Sequence, residues 1–201
     1  MTTAKKAAPP SERRADLIRH AADLFAEKGF RATTVREIAD AAGILSGSLY
    51  HHFDSKESIG DEILREFLDD VLAGYREAAA GTQDPRVAIE RMVRSSTAAL
   101  SRHRAALTML QNDWAYFSAQ KRFAYLRAAM REIELNWIAQ LERGKQDGHF
   151  RADLDARLIY RLLRDILWIP TSWKQARGKS WKTDEIVDGL LRLLFDGITA
   201  R

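Results

Sequence analysis

Three observations along this chain of 201 residues predict an all-α architecture. Apolar residues recur at three- and four-residue spacing in segment after segment, which places them on one side of a 3.6-residue helix. Gly29, Gly43, Gly81, Pro85 and Gly148 stand where such segments stop or start. No stretch alternates apolar and polar residues convincingly, as a half-buried strand would. The expected organisation is a disordered leader over 1–10, a three-helix N-terminal head over 11–56 and a six-helix C-terminal domain over 57–201.

The first helix carries Leu17, Ile18, Ala21, Leu24, Phe25 and Ala26 on its apolar face and ends at Gly29. Thr34 followed by Glu37 fits a capping box, so a second helix begins at about Val35, with Val35, Ile38, Ala39 and Ala42 inward. Gly43 follows where a left-handed conformation is cheap only for glycine. Ile44 and Leu45 are read as plugging the core beneath the turn. Ser46 is the expected N-cap of a short helix over Gly47 to His52, with Leu49 and Phe53 inward and Gly47, Ser48, Tyr50 and His51 outward. Two short helices hinged at a glycine, the second small and polar outside, form a helix-turn-helix suited to sequence-specific DNA. A bulky residue at Gly47 would hold the backbone off the duplex, and Ser48 can bond base edges or phosphates. Arg13, Arg14 and Arg19 flank the unit on one side. Lys56 flanks it on the other, beside Ser55, the expected N-cap of a long helix.

That helix runs from Ser55 to Ala80. Others are expected from Pro85 to about Ser101, from Arg104 to about Phe117, from Ala119 or Gln120 to about Lys145, from a cap at Asp153-Leu154-Asp155 to about Lys174, and from Thr183 to about Thr199. The last two carry broad apolar stripes: Leu158, Ile159, Leu162, Leu163 and Ile166 on one, Ile186, Leu190, Leu193 and Leu194 on the other. Either they serve only the monomer core, or they also face a second copy in a four-helix bundle, which their width favours. A homodimer would set two recognition helices about 34–36 Å apart, one turn of DNA.

Composition sets bounds. Hydrophobic residues make up 46% and charged residues 30%, a globular balance. The absence of cysteine excludes disulfides, thiolate zinc sites and cysteine nucleophiles, and fits a reducing cytoplasm. No apolar run reaches the ~18 residues that span a bilayer, and the first ten residues lack the apolar stretch of a secretory signal, so a cytoplasmic protein with no membrane partner is expected. A net charge of +4 is only weakly informative. Lys5, Lys6, Arg13 and Arg14 either graze the DNA backbone or belong to a solvated leader. No catalytic residue, metal or cofactor is expected. There is no glycine-rich phosphate loop or nucleophile elbow, and His51 and His52, adjacent on a helix, point about 100° apart.

Trp114, Tyr116, Phe117, Phe123, Tyr125, Trp137, Trp168 and Trp173 cluster in the middle and late helices. They are open to two readings: core packing, or the wall of an apolar cavity edged by Gln111, Asn112 and Asp113. Gln111, Trp114, Phe123 and Met130 are the candidate cavity residues. Arg161, Arg164, Asp165 and Trp168 share one helix, with Arg164 and Trp168 on one face. That guanidinium and indole can hold a phosphate or carboxylate and stack on a base, or they can form an Arg164–Asp165 ion pair with Trp168 as packing.

Phe25, Gly29-Phe30, Ala32-Thr33-Thr34-Val35, Ile38-Ala39, Ala42-Gly43 and Ser48-Leu49-Tyr50-His51-His52-Phe53-Asp54-Ser55-Lys56 resemble the N-terminal signature of the TetR family of bacterial transcription regulators. The resemblance implies a homodimer, a TetR-like all-helical topology, and release from double-stranded operator DNA when a small-molecule inducer fills the C-terminal domain. It implies phosphate contacts by Tyr50, Lys56, Thr34 and the neighbouring Thr33, with Ser46, Gly47, Ser48 and His51 toward the groove. Packing within the head is the alternative for Tyr50 and His52. Gly148-His149-Phe150-Arg151-Ala152-Asp153-Leu154-Asp155 and Tyr160-Arg161-Leu162-Leu163-Arg164-Asp165-Ile166-Leu167-Trp168 are similar to the KstR-type actinobacterial repressors of sterol-ring catabolism. That likeness implies an acyl-CoA thioester as inducer, with Arg164 and Trp168 at the ligand; Arg161 is added on physical grounds. The alternatives are a multidrug-type sensor of another lipophilic molecule and a ligand-insensitive DNA-binding protein.

Overall fold

The structure, a computed structural model, describes residues 10–168 and 182–198. Among them are ten α-helices, one 3-10 turn and no strand: α1 (Pro10–Lys28), α2 (Val35–Ala41), α3 (Ser46–Leu49), α4 (Lys56–Ala80), α5 (Pro85–Arg102), α6 (Arg104–Asn112), α7 (Trp114–Ser118), the 3-10 turn Lys121–Phe123, α8 (Tyr125–Gln146), α9 (Ala156–Leu167) and α10 (Thr183–Ile198). The expectations for Lys5, Lys6, Trp173, the rest of the helix drawn to Lys174, and Thr199 lie outside the described residues, as does the leader apart from Pro10, which opens α1. No described helix is long and apolar enough to cross a membrane.

The chain divides into two compact units, and the division differs from a boundary at residue 56. The first unit runs up to Phe67 and adds His103–Ala124; the second takes Leu68–Arg102 and the chain from Tyr125 onward. Helix α4 therefore contributes its first half to one unit and its second half to the other. The first unit is larger than a three-helix head because α1 packs along α6 and because an aromatic chain runs through it. Phe25 lies 4.9 Å from Phe30, Phe30 lies 4.8 Å from Phe117, and Phe117 lies 4.8 Å from Phe123, centroid to centroid. Gly60 on α4 admits this chain: a Cβ there would stand 2.9 Å from Phe30 Cε2.

Two breaks depart from the sequence pattern. The helix expected from Arg104 to Phe117 is interrupted at Asp113 (φ −124°, ψ 19°), which separates α6 from α7. The long helix expected from residue 119 or 120 starts at Tyr125, because the 3-10 turn before it folds Phe123 fully into the core. Tertiary packing of one aromatic overrides a helical pattern that is otherwise continuous.

Local signals fared better. Thr34 and Glu37 form the capping box: Thr34 Oγ1 accepts from Glu37 N, and Glu37 Oε2 accepts from Thr34 N at 2.8 Å. At the other end of α2, Gly43 (φ +66°) donates to Asp40 O and Ile44 donates to Ala39 O. This is a Schellman motif, which satisfies the open carbonyls of a seven-residue helix. Ser55 and Ser58 cap α4 reciprocally, each Oγ accepting the other's amide. Lys56 Nζ donates to the carbonyls of Phe30 (2.8 Å) and Thr33 (2.7 Å) and lies over the Phe30 ring at 4.5 Å, closing the α1–α2 connection. Burial holds its pKa below the ordinary lysine value.

In the second unit, Trp137 is buried edge-on to Tyr75 at 5.8 Å and lies 6.5 Å from Tyr160. Tyr75 Oη shares a 2.7 Å hydrogen bond with Ser96 Oγ, which satisfies a buried hydroxyl. Desolvation pushes the Tyr160 hydroxyl up to about 12. Asp155 caps α9 by accepting from Arg157 N and Leu158 N, and those bonds hold its carboxyl below the usual range.

The Glu37 carboxyl, bonded first by Lys28 Nζ and then by the Thr34 amide and hydroxyl, is held at about 2. A folded-state pKa below the unfolded value of about 4.3 stabilises fully above that pH, and the contribution is lost as pH falls toward 2. Glu37→Gln is therefore expected to flatten the acid limb of the thermal-unfolding curve between about pH 4.5 and 2. An unchanged slope would show that the capping box carries no pH-linked stability.

Candidate nucleic-acid interface and ligand-binding residues

The candidate recognition helix is shorter than its sequence suggests. Helix α3 holds four residues, after which His51 N and His52 N donate back three residues, to Ser48 O and Leu49 O, so the last turn tightens. Its N-cap is Leu45, not Ser46; Ser46 sits inside the helix, and the cap contributes no side-chain hydrogen bond. Leu49 and Phe53 are buried as the spacing predicts. Leu45, expected to plug the core, is instead exposed.

The outward face of α3 is open to solvent. Gly47 and His51 are exposed, Ser46, Ser48 and His52 are half-buried, and Tyr50 is 56% exposed. A Cβ built on Gly47 meets nothing within 4 Å, and its φ lies outside the left-handed region. Nothing inside the unit requires a glycine at this position.

Three candidate contacts have hydrogen-bond partners within the protein. Thr33 is buried, and its Oγ1 donates to Gly29 O at 2.9 Å, so its side chain closes the end of α1 and does not face a duplex. Lys56, drawn as a phosphate ligand, has two of its three N–H groups on the Phe30 and Thr33 carbonyls. Thr34 is exposed, but its hydroxyl is engaged with Glu37 at 3.0 Å. Arg14 is bonded to Glu62 and lies 4.5 Å over the Phe53 ring, and the Glu62 bond raises its pKa. Exposed cations of the same unit that sequence reasoning passed over are Arg31 in the α1–α2 connection and Arg36 on α2, the latter 3.8 Å from Asp40. For Arg36 the signal was present, at a polar position of α2 away from the inward Ile38 and Ala39; Arg31, in the connection, has no periodic pattern to mark it.

The candidate ligand residues fall in both units. In the first, Gln111 is exposed on α6 and Trp114 is half-buried at the start of α7. Phe123, proposed for the pocket, is fully buried against Phe117 and serves the core. In the second, Met130 is half-buried on α8 and Arg161 is exposed on α9. Arg164 and Trp168 lie one turn apart, joined by a Trp168 N to Arg164 O bond of 2.9 Å. The Arg164 guanidinium donates to Asp165 Oδ1 at 2.6 and 2.9 Å, with both side chains more than a third exposed. Such a screened pair contributes little stability, so an incoming anion can take the guanidinium at small cost. The second unit also holds an open cavity of about 240 Å³ walled by Arg86, Arg94, Asp188, Arg192 and Phe195, and none of the candidate ligand residues lines it.

Residues 17–63 match the family of bacterial regulatory proteins of the tetR type, and residues 82–198 match the tetracyclin repressor-like C-terminal domain. The chain is 46% identical over 190 residues to the HTH-type transcriptional repressor KstR2 of Rhodococcus jostii (strain RHA1), covering 94% of this chain and 93% of that protein. Its backbone resembles the solved ketosteroid transcriptional regulator KstR2 of Mycobacterium tuberculosis with a TM-score of 0.87 at 38% identity, covering 98% of this chain and 100% of that one. It also shares its fold with AibR solved in complex with isovaleryl coenzyme A and operator DNA, with a TM-score of 0.78 at 18% identity, over 91% of this chain and 98% of that one. The continuous match through both halves, together with the helix-turn-helix geometry, makes this chain a member of the TetR family of bacterial transcriptional regulators.

Proposed function

We propose that this chain is a ligand-responsive transcriptional repressor that works in the cytoplasm as a homodimer, binds a palindromic operator, and is released by a coenzyme A thioester of a sterol-ring or fatty-acid-like catabolic intermediate. It is read as a regulator and not an enzyme. The observation that carries the DNA-binding part is Gly47: a glycine that the fold does not need, in open space on the outward face of α3. Its lack of a side chain is explained by the close approach of a duplex. The sterol connection is supported by the likeness to the ketosteroid transcriptional regulator KstR2, at 38% identity across nearly the whole of both chains.

The dimer reading rests on what the second unit leaves uncovered. Leu158, Leu162 and Ile166 recur every fourth residue on α9, and all are exposed, while Leu163 is buried. On α10, Leu190 and Leu194 are buried, and the exposed residues Gly189, Leu193 and Gly197 line up on one face. The apolar stripe on α9 and the exposed Gly189, Leu193 and Gly197 on α10 each suit close packing against a second copy in an isologous interface.

For the ligand, Arg164 supplies a cation for a phosphate or carboxylate, and Trp168 supplies a surface for stacking. The fold accommodates isovaleryl coenzyme A in AibR. To shift the operator-bound population from 99:1 to 1:99, the ligand must prefer the released form by about 5.5 kcal/mol. Helix α4, which contributes residues to both units, is the element through which that preference reaches the head.

Three experiments test these parts separately. Gly47→Glu is expected to leave thermal unfolding unchanged or slightly improved, since glycine is a poor helix former. It should weaken binding to a duplex selected by the wild type from a random library by more than about a hundredfold; retained affinity would place another helix in the groove. Leu162→Glu should turn a dimer into a monomer in light-scattering chromatography, and an unaltered dimer would move the interface elsewhere. In a thermal-shift screen of acyl-CoAs, free CoA, sterol fragments and cationic dyes, the wild type should be stabilised by an acyl-CoA, by about 2.7 kcal/mol at one hundred times Kd. Arg164→Met should weaken that response about tenfold or more without altering DNA affinity. Stabilisation by dyes alone would replace the thioester with a lipophilic cation.

A further inference from the structure

Leu45 is poorly placed in the free protein on two independent counts. It is the N-cap of α3, in an extended conformation (φ −72°, ψ 143°), and it gives the helix no side-chain hydrogen bond. Serine, threonine, aspartate and asparagine favour that position because a side-chain oxygen takes one of the amides a helix leaves open, and leucine ranks among the poorest occupants. An apolar residue in such a place normally gains by burial. Leu45 is instead 81% exposed, the highest value among the exposed large hydrophobics of the described residues. The buried apolar residues of this segment are Leu49 and Phe53. Capping and burial are both forgone, so what Leu45 gains must come from something that meets this surface. The surface is continuous with the recognition helix: Gly47, open and exposed, is two residues on, followed by Tyr50 and His51.

We propose that Leu45 is a specificity-determining residue that reads thymine, packing its isobutyl group against the C5-methyl of one thymine in each operator half-site. The assignment rests on α3 being the groove-facing helix. In the major groove only thymine presents an apolar methyl; every other base edge there offers donors and acceptors. A leucine side chain has neither, so it cannot discriminate by hydrogen bonding and gains nothing from phosphate. It rewards a methyl and leaves a polar edge without a partner. The polar neighbours Ser46, Ser48, Tyr50 and His51 remain available for phosphates and polar base edges.

The test uses a duplex that the wild-type protein selects from a random library, with each thymine replaced singly by deoxyuridine. That change removes the methyl and leaves the hydrogen-bonding edge intact. The expected result is one symmetry-related position per half-site where wild-type affinity falls about fourfold, the effect of one buried methyl. In Leu45→Ser, which supplies the missing cap, the same replacement should have no effect, while the unfolding temperature stays level or rises. The proposal is overturned if no deoxyuridine position weakens the wild type, the result expected if Leu45 meets a protein surface instead. It is equally overturned if Leu45→Ser loses the same factor at the same position. A wild-type chain that enriches no sequence at all would instead remove the DNA-binding reading beneath it, a result plainly distinct from the other two.

Discussion

A helix of four residues cannot hold itself together, because fixing its first turn consumes more conformational entropy than the few hydrogen bonds return. The placement of α3 therefore depends on anchorage, and two residues supply it: Leu49 and Phe53, both buried in the first unit. Phe53 is covered by the Arg14 guanidinium at 4.5 Å, and that guanidinium is in turn tied to Glu62 on α4. The Schellman turn at Gly43 sets the direction in which the chain leaves α2. The openness at Gly47 and the exposure of Leu45 follow from the inward face being fixed.

The same unit explains why some cations of a DNA-binding head are not free for DNA. Lys56 secures two backbone carbonyls at the end of the α1–α2 connection, and Arg14 secures α1 to α4. Buried carbonyls without partners are costly, and an ammonium beside an aromatic face answers both needs at once. Arg31, 6.0 Å from the Tyr116 ring centroid, and Arg36, 3.8 Å from Asp40, remain at the surface. The aromatic chain from Phe25 to Phe123 draws α7 and the 3-10 turn into this unit, so residues that look like part of a ligand domain belong to the core of the first unit.

The second unit separates its work by burial. Tyr75, Trp137, Tyr160 and Ser96 lie in its interior, with the Tyr75 hydroxyl satisfied by Ser96. The exposed leucines of α9 and α10 are those that the interior does not use. Among the described residues Arg164 is paired with its chain neighbour Asp165, in a bond that solvent screens.

Periodicity and end signals by themselves determined the helical class, the start of α2 at Thr34–Glu37, its stop at Gly43, the inward pair Leu49 and Phe53, and the caps at Ser55 and Asp155. Each depends on residues within one turn of each other, so the chemistry is local and readable. What only the tertiary structure decided is how residues distant in sequence use one another: that Phe123 belongs to a core with Phe30, that Thr33 and Lys56 serve backbone carbonyls, that a continuous helical pattern breaks at Asp113, and that Leu45 faces out while Leu49 faces in. Spacing cannot show these things, because an apolar or cationic side chain near a helix end can serve the interior or a partner equally well. Only the shape of the space left beside it chooses between them.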